Sequence, residues 1–151
     1  MLLGVPLGLL LGKTDLPFRR TLAVLLSIPL LLPPYILAVC WFNLLTSHGL
    51  LARVIPAEAV EPLSTSLFGL PGCVWVLVSA FMPLVMILTS IYVRAVSPRI
   101  EEAARLVARW PVVLRHITLP LIFPGLLFAG ILVFLLALGE VGVPMFLGYP
   151  V

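Results

Sequence analysis

The stretch ITLPLIFPGLLFAGILVFLLAL, residues 117–138, contains no charged side chain. Because a transmembrane helix needs about 20 mostly apolar residues to cross about 30 Å of hydrocarbon, this stretch is long enough to span a bilayer. Residues 21–45 and 73–93 are also long, apolar and uncharged. Residues 1–11 are apolar too, but as a helix they would rise only about 16 Å. The sequence therefore predicts an all-α integral membrane protein with three full spans and one truncated span.

The composition of the chain excludes most other classes of protein. Of its 151 residues, 62% are hydrophobic and only 10% are charged, whereas soluble domains are about 45–50% apolar and about 25% charged. The chain therefore has too little polar surface for a soluble enzyme and is too apolar to be disordered. A net charge of +3 is too small for a nucleic-acid-binding module. We expect residues 1–11 to be the end of a longer helix, so that the chain is a fragment or its start is misplaced.

Basic residues are concentrated in two of the three predicted loops. Short cytoplasmic loops of membrane proteins carry an excess of Lys and Arg. Residues 12–20 contain Lys13, Arg19 and Arg20, and residues 94–116 contain Arg94, Arg99, Arg105, Arg109 and Arg115. Residues 46–67 contain Arg53 against Glu58 and Glu61. We therefore predict that the first and third loops are cytoplasmic and that the second lies outside.

Prolines interrupt the predicted spans. A proline inside a helix removes a backbone hydrogen bond that the bilayer cannot replace, so it is tolerated where neighbouring protein or water compensates. Pro33 and Pro34, followed by Tyr35, lie near the middle of the first span, and Pro83 is expected to break the second. Two interpretations stay open: kinked helices of an ordinary bundle, or broken helices that line a solute path.

Polar residues that could line such a path are few. Asn43 lies in the first span, and Glu140 is the carboxylate that follows the third. A carboxylate within a membrane is a candidate functional residue, but Glu140 could equally lie in water at the outer interface. Together with Pro33, Pro34 and Tyr35, these two residues form the predicted translocation path.

Residues 97–110 are predicted to form a cytoplasmic helix of about three turns. Ser97 is placed to cap it, Pro98 stands at the first helical position and Pro111 is expected to end it. Apolar residues recur at helical spacing and form a stripe of mostly small side chains: Ile100, Ala103, Ala104, Val107 and Ala108. Glu101 and Arg105 have the spacing of a helical ion pair. Small alanines favour close approach to another protein surface, and a plain solvated linker is the alternative.

This segment resembles the signature of a transporter family. Glu102-Ala103-Ala104, followed by Ile117-Thr118-Leu119-Pro120, is similar to the EAA loop of bacterial ABC-transporter permease subunits. Ala108 stands where that loop has glycine. The stretches LPFRR, residues 16–20, and LGEVGVP, residues 138–144, are similar to the iron(III)-type permeases of binding-protein-dependent importers.

The resemblance implies a fold, a function and partners. The fold would be the MetI-like helical bundle, with residues 1–151 as a single partial permease domain in a bacterial inner (plasma) membrane. The permease would move a solute, ferric iron in this subgroup, by alternating access driven by a separate ATP-binding subunit. Further partners would be a periplasmic solute-binding protein, which delivers solute near residues 46–67, and a second permease unit. The residues implied in coupling to the ATP-binding subunit are Glu101, Glu102, Ala103, Ala104, Arg105, Ala108, Ile117, Leu119 and Pro120.

We expect Leu119 and Pro120 to form the rigid joint through which the cytoplasmic helix moves the next span. No enzyme chemistry is evident: residues 8–14 resemble a phosphate-binding loop, but three leucines separate the glycines where the motif needs four residues. His48 and His116 lie in loops on opposite sides of the membrane and cannot share a metal ion. We therefore expect no catalytic residue, metal, cofactor or nucleic acid. The alternatives are an ATP-independent secondary transporter or channel subunit, or an inert truncated fragment.

Overall fold

The computed structural model describes residues 1–14, 17–46 and 69–148. All regular secondary structure in these ranges is helical, which confirms the predicted fold class. The helices are α1 (Gly4–Lys13), α2 (Arg19–Ser27), α3 (Pro34–Leu45), α4 (Leu70–Ala95), α5 (Pro98–Arg105), α6 (Trp110–Val113), α7 (Leu119–Leu138) and α8 (Gly142–Phe146). A 3-10 turn, Ile28–Leu31, follows α2, and a π-helical turn, Leu114–Thr118, joins α6 to α7.

Among the described residues, two helices are long and apolar enough to cross a membrane unaided. α4 has 26 residues, and α6, the π-helical turn and α7 form one helix of 29 residues, Trp110–Leu138. They contain the predicted spans 73–93 and 117–138, and the second of them begins earlier because Pro111 is tolerated in the first turn of a helix. α1 has 10 residues, about 15 Å, and is too short to cross alone.

The first predicted span, residues 21–45, is not one continuous helix. The segment Arg19–Leu31 and α3 are bent by 103° at the break between them. Pro33 has an extended backbone, with ψ 139°, because the residue before a proline is driven out of the helical region. Pro34 then begins α3, as prolines often begin helices. The pair forms a broken span or a re-entrant loop, so residues 1–14, 17–46 and 69–148 contain two or three candidate spans.

Pro83 does not break α4, contrary to the prediction. The helix continues through Pro83 from Leu70 to Ala95. Pro83 is buried within the protein, so neighbouring protein surrounds the position where the carbonyl of Ser79 has lost its helical donor. A proline in a span is therefore accommodated here by packing.

The chain divides into two compact units, residues 1–27 with 82–134 and residues 28–81 with 135–151. In the first unit, glycines at every fourth position of α1 face α4: Gly4 faces Val85, Gly8 faces Thr89 and Gly12 faces Val93. A Cβ atom on Gly8 would lie 2.5 Å from the Cβ of Thr89 and 2.6 Å from the carbonyl oxygen of Met86. Glycine at this position therefore permits a close approach of the two helices, as in other membrane helix pairs.

The directions of the helices in the first unit follow from their contacts. Residue numbers rise in the same direction along the contacting faces of α1 and α4, so these helices run parallel. Arg94 Nη2 donates a hydrogen bond of 3.0 Å to the carbonyl oxygen of Leu11, where the end of a helix favours a cation. Ile122, near the start of α7, packs at the end of α4, and Gly130 meets Met1. α7 therefore runs antiparallel to α1 and α4. The predicted sidedness of the loops requires these directions.

In the second unit, α3 and α8 pack against residues 70–81 of α4. Trp41 Nε1 donates a hydrogen bond of 3.1 Å to Ser79 Oγ, and the rings of Trp41 and Trp75 meet edge to face with centroids 5.5 Å apart. The buried core of this unit is apolar and comprises Leu37, Ala38, Cys73, Val76, Ala80, Val143 and Leu147. Hydrogen bonds between helices are a usual element of packing in membranes, where apolar contacts alone give little preference.

Candidate functional site

The candidate coupling helix is α5, which begins as predicted. Ser97 has an extended backbone with ψ 123°, and Pro98 stands at the first helical positions. The hydroxyl of Ser97 makes no capping hydrogen bond, so the fixed φ of proline, and not a side-chain cap, defines this helix start. The N–H of Ile100 bonds the carbonyl of Ser97 at 3.2 Å and closes the first turn.

α5 ends at Arg105, five residues before the predicted end at Trp110. The carbonyl of Ala104 accepts bonds from the N–H groups of both Val107 and Ala108, at 3.1 and 2.9 Å, which tightens the chain into a turn. Arg109 is then extended, with ψ 151°. The prediction that Pro111 ends this helix is wrong, because Pro111 lies in the first turn of α6, where it needs no N–H.

Much of the surface of α5 is free of contact with the described part of the chain. Ile100 is 50% exposed, and Val107, in the following turn, is 91% exposed. Glu102, Ala103 and Arg105 are also exposed. α5 and the turn after it thus each present an exposed apolar side chain in the described part of the chain.

The remaining residues implied in coupling lie in three different settings. Ala108 lies in the turn after α5 with a negative φ, so the glycine of the family pattern is not needed there. Ile117 lies in the π-helical turn, and Leu119 packs against the core that includes Ile122. Leu119 and Pro120 are inside the helix Trp110–Leu138. The helix therefore begins before them, and the chain changes direction at residues 106–109; their role as a rigid joint stays a prediction.

Charged groups in this segment have few partners within the described chain. The guanidinium carbon of Arg105 lies 5.2 Å from the centre of the Trp110 ring, close enough for a cation–π contact. The predicted ion pair of Arg105 with Glu101 falls on a side chain outside the described residues. Arg99, Arg109 and Arg115 are exposed and give the segment a positive surface.

Two of the predicted path residues are brought together in the second unit. Gly142 lies beside both: a Cβ on Gly142 would be 3.0 Å from Glu140 Oε1 and 3.6 Å from the Cβ of Tyr35. The Tyr35 ring meets that of Phe146 edge to face, with centroids 5.4 Å apart, and Phe146 meets Phe42 at 5.7 Å. The half-buried Glu140 and Tyr35 therefore both lie next to Gly142, and the Tyr35 ring belongs to a group of aromatic rings.

The other path residues are not part of that group. The side-chain amide of Asn43 donates to the carbonyl of Val39 in its own helix at 2.9 Å, and it is about 12 Å along α3 from Tyr35. Pro33 and Pro34 shape the break before α3 and offer no polar group. The predicted site of solute delivery, residues 46–67, lies outside the described residues except for Thr46.

Sequence reasoning missed two of these features. The glycines of α1 stand four residues apart, a spacing that signals close helix packing in membranes and was readable from the sequence. The contact between Arg105 and Trp110 gives no such signal, because it crosses a turn and has no helical spacing.

Comparisons with known proteins place these features in a family. Residues 4–151 match the family described as "Binding-protein-dependent transport system inner membrane component". The Molybdenum transport system permease protein ModB of Mycobacterium tuberculosis is 30% identical over 145 residues, which is 94% of this chain and 53% of that protein. A probable molybdenum ABC transporter permease protein of Haloferax volcanii is 32% identical over 151 residues, 97% of this chain and 52% of that protein. The chain thus spans about half the length of the curated relatives that it matches.

These comparisons also bear on the predicted subgroup. The relatives named above are molybdenum permeases, so the iron(III)-type assignment from the sequence is not supported, whereas the broader assignment to the importer permeases is. The match covers nearly the whole chain, including α5 and the long helices. The chain therefore belongs to the binding-protein-dependent transport system inner membrane components and is a multi-pass protein of that membrane.

Proposed function

We propose that this chain is part of the permease of an ABC importer and that α5 is the element on which a separate ATP-binding subunit acts. The observation that carries the proposal is the exposed helix bearing Glu102, Ala103 and Ala104, which is joined by a short turn to a helix of 29 residues. ATP hydrolysis belongs to the partner in this proposal, and the relatives named as permeases support that division.

The chemistry of α5 suits docking on another protein. Ala103 presents no side chain beyond Cβ and lets a partner surface come close, while Ile100 provides an apolar anchor that is 50% exposed. Glu102 and Arg99 on the same helix can fix the orientation by charge-assisted hydrogen bonds. Closure of the ATP-binding subunits would displace α5, and the displacement would reach the membrane through the helix Trp110–Leu138.

The broken segment before α3 would take part in alternating access. Discontinuous helices line solute paths in other transporters, and the break between Leu31 and Pro34 brings Tyr35 to the start of α3. Glu140 and Tyr35 would lie on or beside the path. A solute-binding protein on the outer side and a second permease unit would complete the importer.

For the solute we propose molybdate, because the relatives named above carry molybdenum in their names. Ferric iron, which the sequence resemblance implied, is the competing solute. The carboxylate of Glu140 should act differently on the two solutes, because it repels molybdate, a dianion, and attracts the ferric cation. A dianion about 10 Å away in water-like surroundings is repelled by about 0.8 kcal/mol, which corresponds to about a fourfold change in uptake rate. In the complete importer, Glu140→Gln should therefore speed molybdate uptake, whereas Glu140→Asp should not. Uptake of ferric iron but not of molybdate would contradict this assignment.

The coupling role is tested by the double substitution Glu102→Lys with Ala103→Trp in the complete importer. We expect solute uptake to be lost and ATP hydrolysis to become independent of the solute-binding protein, because the docking surface has reversed its charge and gained bulk. Membrane insertion should be unchanged. Arg115→Gln, an exposed charge change outside α5, is the matched control and should leave both activities intact. Unchanged coupling in the double variant, or uptake that continues without ATP, would remove the proposed role.

A further inference from the structure

The turn between α5 and α6, residues 106–109, has little packing of its own. α5 ends at Arg105, Arg109 is extended and α6 begins at Trp110. Leu106 and Val107 are 89% and 91% exposed, so their side chains pack little against the part of the chain that the structure describes. Backbone hydrogen bonds hold its two ends: Val107 and Ala108 donate to the carbonyl of Ala104, and Val112 and Val113 donate to the carbonyl of Arg109. A side-chain contact across the turn would further limit the direction of α5 relative to the helix Trp110–Leu138.

Arg105 and Trp110 stand at the two ends of this turn and meet across it. The guanidinium carbon lies 5.2 Å from the centre of the indole ring, within the range of about 6 Å in which a cation is attracted to an aromatic face. Trp110 is half-buried in the first turn of the helix Trp110–Leu138, whereas Arg105 is exposed at the end of α5. The contact therefore joins the last residue of one helix to the first residue of the next.

We infer that Arg105 and Trp110 form a positioning pair that fixes the direction of α5. Through this pair, a displacement of α5 is passed to the helix Trp110–Leu138. The inference rests on the proposed function for the source of that displacement, but the pair itself is a property of this chain. An arginine suits the role better than a lysine, because its planar guanidinium stacks on an indole face while staying charged. Arg105 thus acts within the chain, and need not be a contact of the ATP-binding subunit.

The pair is tested first in the purified chain by fluorescence. The sequence contains three tryptophans, so Trp41→Phe with Trp75→Phe leaves Trp110 as the reporter. Arg105→Gln should raise quenching of Trp110 by acrylamide, a neutral quencher, because the open form of the turn becomes about two- to fivefold more populated when an exposed cation–π contact is lost. Arg105→Lys should give an intermediate value. Arg99→Gln removes the same charge from the same helix and should change nothing. Equal quenching in Arg105→Gln and the parent would overturn the inference.

A second measurement does not depend on removing tryptophans that pack in the other unit. Spin labels are attached through Glu102→Cys and Val112→Cys in a chain that also carries Cys40→Ser and Cys73→Ser. The distance distribution between the labels should be narrow in the parent and broad in both Arg105→Gln and Trp110→Leu. Distributions of unchanged width would overturn the inference even if the fluorescence variants failed to fold.

The complete importer separates this inference from the proposed function. Arg105→Gln should still allow the ATP-binding subunit to co-purify, but the solute moved per ATP hydrolysed should fall. If the parent chain does not bind that subunit, the proposed function fails, while the two measurements on the chain alone still decide whether the pair exists. If the spin labels show a loosened turn in Arg105→Gln but the solute moved per ATP hydrolysed is unchanged, the Arg105–Trp110 pair does not transmit the displacement of α5.

Discussion

At the residue scale, single glycines decide how close two helices come. Gly4, Gly8 and Gly12 bring the backbone of α1 against α4 in the first unit. The hydroxyl of Thr89 is buried opposite Gly8 and has no hydrogen-bond partner in the described chain. The close contact of α1 with α4 is therefore formed even though it leaves the hydroxyl of Thr89 unsatisfied.

This predicts a clear difference between two glycine-to-alanine substitutions. Gly8→Ala should lower the free energy of unfolding by about 1–3 kcal/mol, the range for overpacked sites, because the carbonyl of Met86 lies 2.6 Å from the new Cβ and cannot rotate away. Gly139→Ala is the matched control, since its Cβ would have only ordinary contacts at 3.6 and 3.7 Å. Unfolding of the purified chain in mixed detergent micelles measures both. Equal stability of the two variants would contradict the account of the α1–α4 contact.

At the scale of the helices, charge-free length was the strongest predictor of structure. The predicted spans 73–93 and 117–138 lie within observed helices, because a long apolar segment in lipid must satisfy its backbone internally. Prolines were less predictable. Pro33 and Pro34 interrupt the helical segment before α3, whereas Pro83 and Pro124 lie inside continuous helices. The difference depends on the packing of neighbouring helices, which one sequence does not reveal.

The dependence on tertiary packing also explains why the end of α5 was predicted wrongly. Its start was predictable from Ser97 and Pro98, since a proline in the first turn is a local signal. Its end depended on the turn at residues 106–109, where Arg109 is extended and Pro111 begins a new helix. Likewise, Tyr35 and Glu140 were predicted to share a path, but that both lie next to Gly142 depends on tertiary packing that the sequence does not specify.

The sidedness of the helices gives a second prediction. In a chain with Cys40→Ser and Cys73→Ser, a cysteine introduced by Leu70→Cys should react with a membrane-impermeant maleimide in intact cells, because the start of α4 is predicted to face outward and Leu70 is 53% exposed. A cysteine introduced by Glu102→Cys should react only after the cells are permeabilised. The opposite pattern would reverse the orientation and remove α5 from the cytoplasm.

At the scale of the whole molecule, the proposed function needs other components, an ATP-binding subunit among them. The chain spans about half the length of its relatives, and it presents an exposed helix at one end of its long spans. Within the described residues, the features that could act together are the exposed helix α5, a turn across which Arg105 contacts Trp110, and a helix of 29 residues. The proposed role of a subunit driven by an ATP-binding partner rests on these three features together.

The most direct test of this account is site-specific photo-crosslinking from Ala103 in the complete importer. A photoreactive amino acid at position 103 should form a covalent product with the ATP-binding subunit, because Ala103 is exposed on α5. The same amino acid at position 121, where Leu121 is 54% exposed on the long helix, should give none. Crosslinking to the ATP-binding subunit from position 103 alone is the predicted result. Its absence at position 103, in an importer that still transports solute, would contradict the central claim that α5 is the docking helix.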